Sequence, residues 1–268
     1  MFPEPQIWQE SSHCQMKEEL CRLQKEQHSR QSPIDIRFSS AVSVVLPPLR
    51  FQNLLSSDVR VIMMNTGTTV DFKIAEEGVV RPSLTGGPLL SHGEFQFYNI
   101  HMHWGMRDVL GSEHKVNGRS YAIEGHCVHF NTKYGSYKEA SKYHDGLAVV
   151  AFFGEAGKVD NPKIERLVKR LGNVKHPNSS VSMSARESLS WFADLGEPTN
   201  YFTYPGSLTT FPYSENVIWI VYPRPLLISF RQVKAFRKLL SSDCIANTEN
   251  TRPLQKFNCR PLIYAIGT

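Results

Sequence analysis

From Gln31 onward the chain consists of short runs that are apolar throughout or alternate apolar with polar residues, separated by Gly, Pro, Asn and Asp. The clearest are Val59 to Met64, Val70 to Ile74, Phe97 to Trp104, Tyr121 to Phe130, Leu147 to Phe153 and Val217 to Tyr222. A period of two fits the pleat of a strand, whereas a helix needs apolar residues three and four apart. Helix signals stand out in two places. One has Asn161 as N-cap, Pro162 in the first position, Ile164, Leu167, Val168 and Leu171 on one face and Gly172 as a stop. The other opens with Ser229 and Gln232 as a capping box and continues through Val233, Phe236, Leu239 and Leu240. The pattern predicts a mainly β protein with peripheral helices. With no repeat and no linker, residues 31–268 read as one domain. Residues 1–30, where Lys17, Glu18, Glu19, Arg22, Lys25 and Glu26 are interleaved, read as an N-terminal arm.

A length of 268 residues with 41% hydrophobic composition supplies a real core and excludes disordered and collagen-like chains. The net charge of +5 is dispersed, which argues against a nucleic-acid or membrane surface. The best apolar run, Val217 to Tyr222, is stopped by Pro223 and Pro225, so no membrane span is expected. Cys14, Cys21, Cys127, Cys244 and Cys259 are too scattered for a disulfide scaffold or a Cys-x-x-Cys metal site. Met1 to Gln9 carry neither a positive n-region nor an apolar h-region. A cytoplasmic location is the expectation, with secretion the alternative if this start is incomplete or alternative.

The informative segment is Asn99-Ile100-His101-Met102-His103-Trp104-Gly105. On a strand His101 and His103 project together, while Ile100, Met102 and Trp104 face the other side. Tyr121 to Phe130 repeats the pattern, with Glu124, His126 and Val128 on one face. If the two strands are neighbours, His126 joins the pair. Three imidazoles without a thiolate describe an open zinc site whose fourth position is left for water. The plainer alternative is a His-x-His pair that merely belongs to a half-buried strand.

Several strings together resemble the α-class carbonic anhydrases. They are Gln31-Ser-Pro-Ile-Asp-Ile36, Ile100-His-Met-His-Trp-Gly105, Gly111-Ser-Glu-His114, Glu124-Gly-His126, Val128-His-Phe-Asn131, Asp145-Gly-Leu-Ala-Val149, Gly206-Ser-Leu-Thr-Thr210 and Arg252-Pro-Leu-Gln255. The resemblance implies a single domain around a large, mostly antiparallel, twisted central sheet. It implies zinc-dependent, reversible hydration of carbon dioxide to bicarbonate and a proton, by attack of zinc-bound hydroxide. His101, His103 and His126 match the metal ligands. Thr209 matches the residue that accepts from the hydroxide, and Glu113 the carboxylate that accepts from that threonine. Val128, Val149, Leu208, Val217 and Trp219 match the apolar wall for carbon dioxide, with core packing as the plainer reading of each, and Thr210 is placed to hydrogen-bond bicarbonate. Glu124 is expected to accept from a ligand ring. Asn99 stands in the same relation to His101, where the family has the longer glutamine, so support comes through water or not at all. His114 and His129 read as buried hydrogen-bonding histidines. The family also implies sulfonamide-type and small-anion inhibitors, no nucleic-acid partner and a monomer.

The chain departs from the family in places. Where efficient members carry a proton-shuttling histidine, the string is Asn65-Thr66-Gly67-Thr68, and Thr68 does not titrate near neutrality. His13, His28 and His92 are the candidate substitutes, His92 lying in a Gly-rich loop expected away from the cleft. Tyr213 occupies the position of a cysteine that secreted relatives pair, and Phe211-Pro212 keeps the capacity for a cis bond. The rival to an enzyme is a catalytically silent carbonic-anhydrase-related binding module. Such relatives lack one or more of the histidines, and all three stand here. An extracellular adhesion domain would require a signal peptide and disulfides.

Overall fold

Alternation along each strand sorts side chains onto two faces of a sheet, and each face needs its own cover. The computed structural model describes residues 29–53, 59–75, 78–189, 191 and 200–267. Cys14, Cys21, His13, His28 and nearly all of the N-terminal arm lie outside the described residues. In chain order the strands are β1 (Asp35–Ile36), β2 (Val42–Val45), β3 (Leu49–Gln52), β4 (Arg60–Asn65), β5 (Val70–Ile74), β6 (Ser83–Gly86), β7 (Phe95–Trp104), β8 (Lys115–Val116), β9 (Ile123–Asn131), β10 (Leu147–Gly157), β11 (Ser180–Ser184), β12 (Asn200–Gly206), β13 (Val217–Val221), β14 (Leu226–Ser229) and β15 (Ile263–Ile266). A 13-stranded sheet runs β11-β4-β5-β7-β9-β10-β13-β12-β15-β2, with β3, β6 and β14 attached beside that path. Its pairs are antiparallel except β10 with β13, β10 with β14, and β15 with β2. The expected mainly β, mostly antiparallel architecture is the one observed.

One face of this sheet carries the helices Pro162–Leu171 and Phe230–Phe236, whose Ile164, Leu167, Val168, Leu171, Val233 and Phe236 pack with Ile100, Met102, Trp104 and Phe152. Both caps are as the residues predict: Asn161 accepts from Lys163 N–H, and Ser229 and Gln232 bond reciprocally. The second helix stops earlier than its apolar periodicity suggests. Beyond Phe236 the turns tighten, Leu239 N–H donating to Phe236 O at 3.1 Å, and Leu239 stays buried without helical geometry. The opposite face has its own apolar layer, including Val128, Val149, Val217, Trp219, Phe202 and Tyr204. Strand β10 is buried on both sides over Leu147 to Phe153, which explains its unbroken apolar run.

Strand β7 changes phase midway. Phe97 is opposite His129 and Asn99 opposite Val128, so Tyr98 is the extra residue of a bulge. Before it, Phe95 and Phe97 face the helix-side core; after it, Ile100, Met102 and Trp104 do.

Gly125, opposite Met102, faces that same core, and a Cβ there would lie 2.0 Å from Phe152 Cζ. Phe152 is only 3% exposed, and the apolar cavity it lines with Met102 and Trp191, about 20 Å³, gives it room for only a small shift. Gly125→Ala is expected to destabilise the fold by about 1–3 kcal/mol through overpacking. Denaturant unfolding checks this, and an unchanged midpoint would show that the Phe152 ring yields freely.

Candidate metal centre and active site

The pairing of β7 with β9 sets His101 directly opposite His126 and His103 opposite Glu124. Strand β5 places Asp71 beside His101, and β10 places Ala151 beside His126. All of these share the face away from the helices. Ring centroids lie 5.1 Å apart for His101 and His103, 5.3 Å for His101 and His126, and 4.5 Å for His103 and His126. One nitrogen from each ring lies within 4.8 Å of the others.

Hydrogen bonds decide which nitrogens are free. His103 Nδ1 lies 3.1 Å from Asn250 O. A carbonyl only accepts, so Nδ1 carries the proton and the lone pair is on Nε2, which is buried without a hydrogen-bond partner. His126 Nε2 lies 2.7 Å from Glu124 Oε1. Burial alone would raise the Glu124 pKa, but His114 and His126 beside it hold the carboxyl well below the usual range. An ionised Glu124 only accepts, so His126 Nε2 is protonated and its lone pair is on Nδ1. Burial lowers the pKa of His101 well below its ordinary value, with His103 and His126 adding to the effect. His126 is lowered chiefly by burial and by His103, against the pull of Glu124. Three imidazoles whose ring nitrogens cluster around one point, with His103 Nε2 buried and without a hydrogen-bond partner, are the donor set a divalent metal ion takes, and these residues fit one.

A second group, His114, Glu124 and His126, is already satisfied internally. Glu124 Oε1 also meets His114 Nδ1 at 2.7 Å, Glu124 Oε2 accepts from His114 N–H at 2.8 Å, and His114 Nε2 meets Tyr204 Oη. Tyr204 Oη in turn lies 3.0 Å from Ser32 Oγ.

The model of the eukaryotic-type carbonic anhydrases matches residues 9–266. Human carbonic anhydrase 7 is 38% identical over 240 residues, covering 87% of this chain and 88% of that protein, and mouse carbonic anhydrase 7 is equally similar. Rat mitochondrial carbonic anhydrase 5A is 36% identical over 238 residues, covering 87% of this chain and 75% of that protein. The chain belongs to the eukaryotic-type carbonic anhydrase family. The match starts inside the stretch read as an arm.

Within this carbonic anhydrase fold, one row of the sheet runs Asn99, Val128, Val149, Trp219 across β7, β9, β10 and β13, immediately beside the row that holds His101 and His126. Trp219 lies 4.8 Å from His126 between ring centroids. Val217 belongs to the same layer, and Leu208 packs against it half-buried. Thr209 is buried and Thr210 exposed.

One expected contact is not formed, and Asn99 gives His101 no direct support. Glu113 takes no hydrogen bond from Thr209: its Oε1 accepts from Arg252 N–H at 2.8 Å and lies 3.4 Å from His103 Nδ1, while its Oε2 is buried without a hydrogen-bond partner, 3.8 Å from His126 Nδ1. Asn99 turns away from His101 because a stronger acceptor is available, donating Nδ2 to Asp71 Oδ1 at 2.7 Å and leaving its own Oδ1 buried and unpaired. His92 is held 3.2 Å from Asp145, which also takes Lys133 and Tyr134. Thr68 is exposed and bonded to Thr66. Phe211 projects into solvent, 87% exposed. Asn250 and Asp71 were not among the expected site residues. Both are polar residues without a motif, and Asn250 reaches His103 across 147 positions of sequence.

His129, on the helix side of β9, accepts no metal role. Burial pushes its pKa down to about 4, while Nδ1 meets Cys127 O at 3.1 Å. A buried neutral histidine costs nothing above pH 6.5, where the unfolded chain is neutral too. Between pH 6.5 and 4 the unfolded chain binds a proton that the native state does not, so stability falls as pH falls. The expected loss is about 3 kcal/mol across that window. Denaturant midpoints between pH 7 and 4 in the parent and in His129→Gln measure it; equal slopes in the two would refute the assignment.

Proposed function

We propose that this chain catalyses the zinc-dependent, reversible hydration of carbon dioxide to bicarbonate and a proton. The observation that carries the reading is the pair of ring nitrogens left without a proton, His103 Nε2 (buried and unbonded) and His126 Nδ1, set by Asn250 and Glu124 and grouped with His101 beside an apolar row. Family membership supports it independently. His101, His103 and His126 would hold the zinc ion. When bound, zinc lowers the pKa of a water to about 7, a value established for carbonic anhydrases generally and not read from this structure.

The chain's own residues do the rest. Val128, Val149 and Trp219, with Val217 and Leu208, offer an apolar seat to a substrate that has no charge and no strong hydrogen-bonding group. Glu113 Oε2 is a buried acceptor in need of a donor, and family resemblance assigns it the hydroxyl of Thr209, which is also buried. With its own proton committed to Glu113, Thr209 Oγ1 can only accept, so it orients the nucleophile by holding the nucleophile's proton. Thr210, at the exposed edge, is placed to hydrogen-bond bicarbonate on its way out.

Metal analysis with stopped-flow carbon dioxide hydration tests the reading. His126→Ala should lose both zinc and activity. Thr209→Ala should keep zinc yet lose about 100-fold in rate, about 2–3 kcal/mol of transition-state stabilisation. A parent chain that binds zinc and hydrates carbon dioxide no faster than buffer overturns the proposal.

Thr68 sets a further expectation. A proton that leaves a donor of pKa about 7 directly for bulk water makes hydronium, a far stronger acid, and climbs roughly 12 kcal/mol. Such a barrier caps turnover near 10⁴ s⁻¹, to order of magnitude. Turnover in weak buffer should therefore rise with added imidazole and in Thr68→His, with kcat/KM little changed. Turnover near 10⁶ s⁻¹, on the order of the fastest known rates, without any response to imidazole would mean that another residue moves the proton.

A further inference from the structure

We propose that Arg252 and Tyr213 form a non-covalent clamp that positions the Thr209 loop, a role that rests on the functional reading above. Residues 207–216 join β12 to β13 and carry Thr209 and Thr210. Two backbone bonds shape the loop, Leu208 N–H to Ser214 O at 3.0 Å and Tyr213 N–H to Thr210 O at 2.8 Å. Its base is anchored by Glu215, whose Oε1 accepts from Arg30 N–H at 2.8 Å and from Gln31 Nε2 at 2.9 Å, whereas Thr210 and Phe211 in the outer half are exposed. Tyr213 also sits at φ +61°, in the left-handed region that a side chain disfavours. Something outside the loop must hold it there.

Arg252 does so. Its guanidinium carbon lies 3.8 Å from the Tyr213 ring centroid. The stack is closed through Gln31: Arg252 Nη1 donates to Gln31 Oε1 at 2.9 Å, and Gln31 Nε2 donates to Tyr213 O at 3.1 Å. Arg252 Nη1 also donates to Ser32 O at 2.6 Å, so the guanidinium is fixed before it meets the ring. A freely swinging surface arginine over an aromatic ring adds little, and the triangle with Gln31 is what distinguishes this one. The backbone N–H of the same Arg252 donates to Glu113 Oε1. One residue thereby ties the carboxylate of the proposed Thr209–Glu113 pair to the loop that carries the threonine. The Tyr213 hydroxyl makes no hydrogen bond among the described residues, so the ring face alone does the holding.

The two variants that separate ring from hydroxyl are Tyr213→Leu and Tyr213→Phe, with Arg252→Lys to remove the planar cation while keeping the charge and the backbone donor. Three quantities are read: hydrogen exchange of the Leu208 and Tyr213 amides, zinc content and kcat/KM for hydration. Tyr213→Leu should speed exchange at both amides and lower kcat/KM about 10-fold, with zinc content unchanged because the ligand strands are untouched. Tyr213→Phe should match the parent in all three. Arg252→Lys should resemble Tyr213→Leu, and combining the two should add little. Unchanged exchange in Tyr213→Leu, or equal behaviour of the Phe and Leu variants, overturns the clamp. Faster exchange with undiminished kcat/KM overturns the positioning of Thr209. An inactive parent overturns the functional reading instead, and the exchange comparison still decides the clamp.

Discussion

The site depends on one extra residue in one strand. Had β7 kept the phase set by Phe95 and Phe97, Asn99, His101 and His103 would point into the layer beneath the helices, and Ile100, Met102 and Trp104 would face the cleft. A slip of one residue exchanges every side chain between the faces, and imidazoles in an apolar layer without partners are costly. The bulge at Tyr98 makes that exchange once, between the part of the strand that builds core and the part that builds the site. Tyr98 itself stacks on Tyr137 with ring centroids 3.8 Å apart and planes 5° from parallel, so the extra residue is packed rather than left loose. Everything across the sheet follows from the register it sets: His101 against His126, and the apolar row one step further along.

Electrostatics then prepares the donors before any metal arrives. Glu124 is a buried carboxylate shared by two imidazoles, and through His114 the network extends to Tyr204 and Ser32. Such a network is favourable only while every member is satisfied, because a charge stranded in a dry interior is expensive. Its consequence for chemistry is directional: the proton of His126 is committed to Nε2, and Asn250 does the same for Nδ1 of His103. Free lone pairs point where a metal would sit because the opposite nitrogens have no alternative. The loop with Thr209 is held by different means, Glu215 bonded to Arg30 and Gln31 at its base and the Arg252 stack on Tyr213 further out. On the proposed reading, strands that hold His101, His103 and His126 and a separately clamped loop would make metal binding and orientation of the nucleophile separable by mutation.

What the residues announced by themselves was local. The strand cores, the capped start of each helix and the shared face of His101 and His103 follow from periods of two and 3.6 and from single capping side chains, which a short window contains. The family strings then marked His126, Glu113, Thr209 and the apolar positions. Strands such as β2, β3, β11 and β15 left little trace, since partly exposed strands near the sheet margins are under weak pressure to alternate. What only the tertiary structure decided was every contact made across the sheet or between loops: the register that sets His101 opposite His126, the turn of Asn99 toward Asp71 instead of His101, the Asn250 carbonyl behind His103, and the Arg252 stack on Tyr213. These partners are 25 to 147 residues apart in sequence. Their meeting depends on strand register and loop path, and local periodicity carries no record of either.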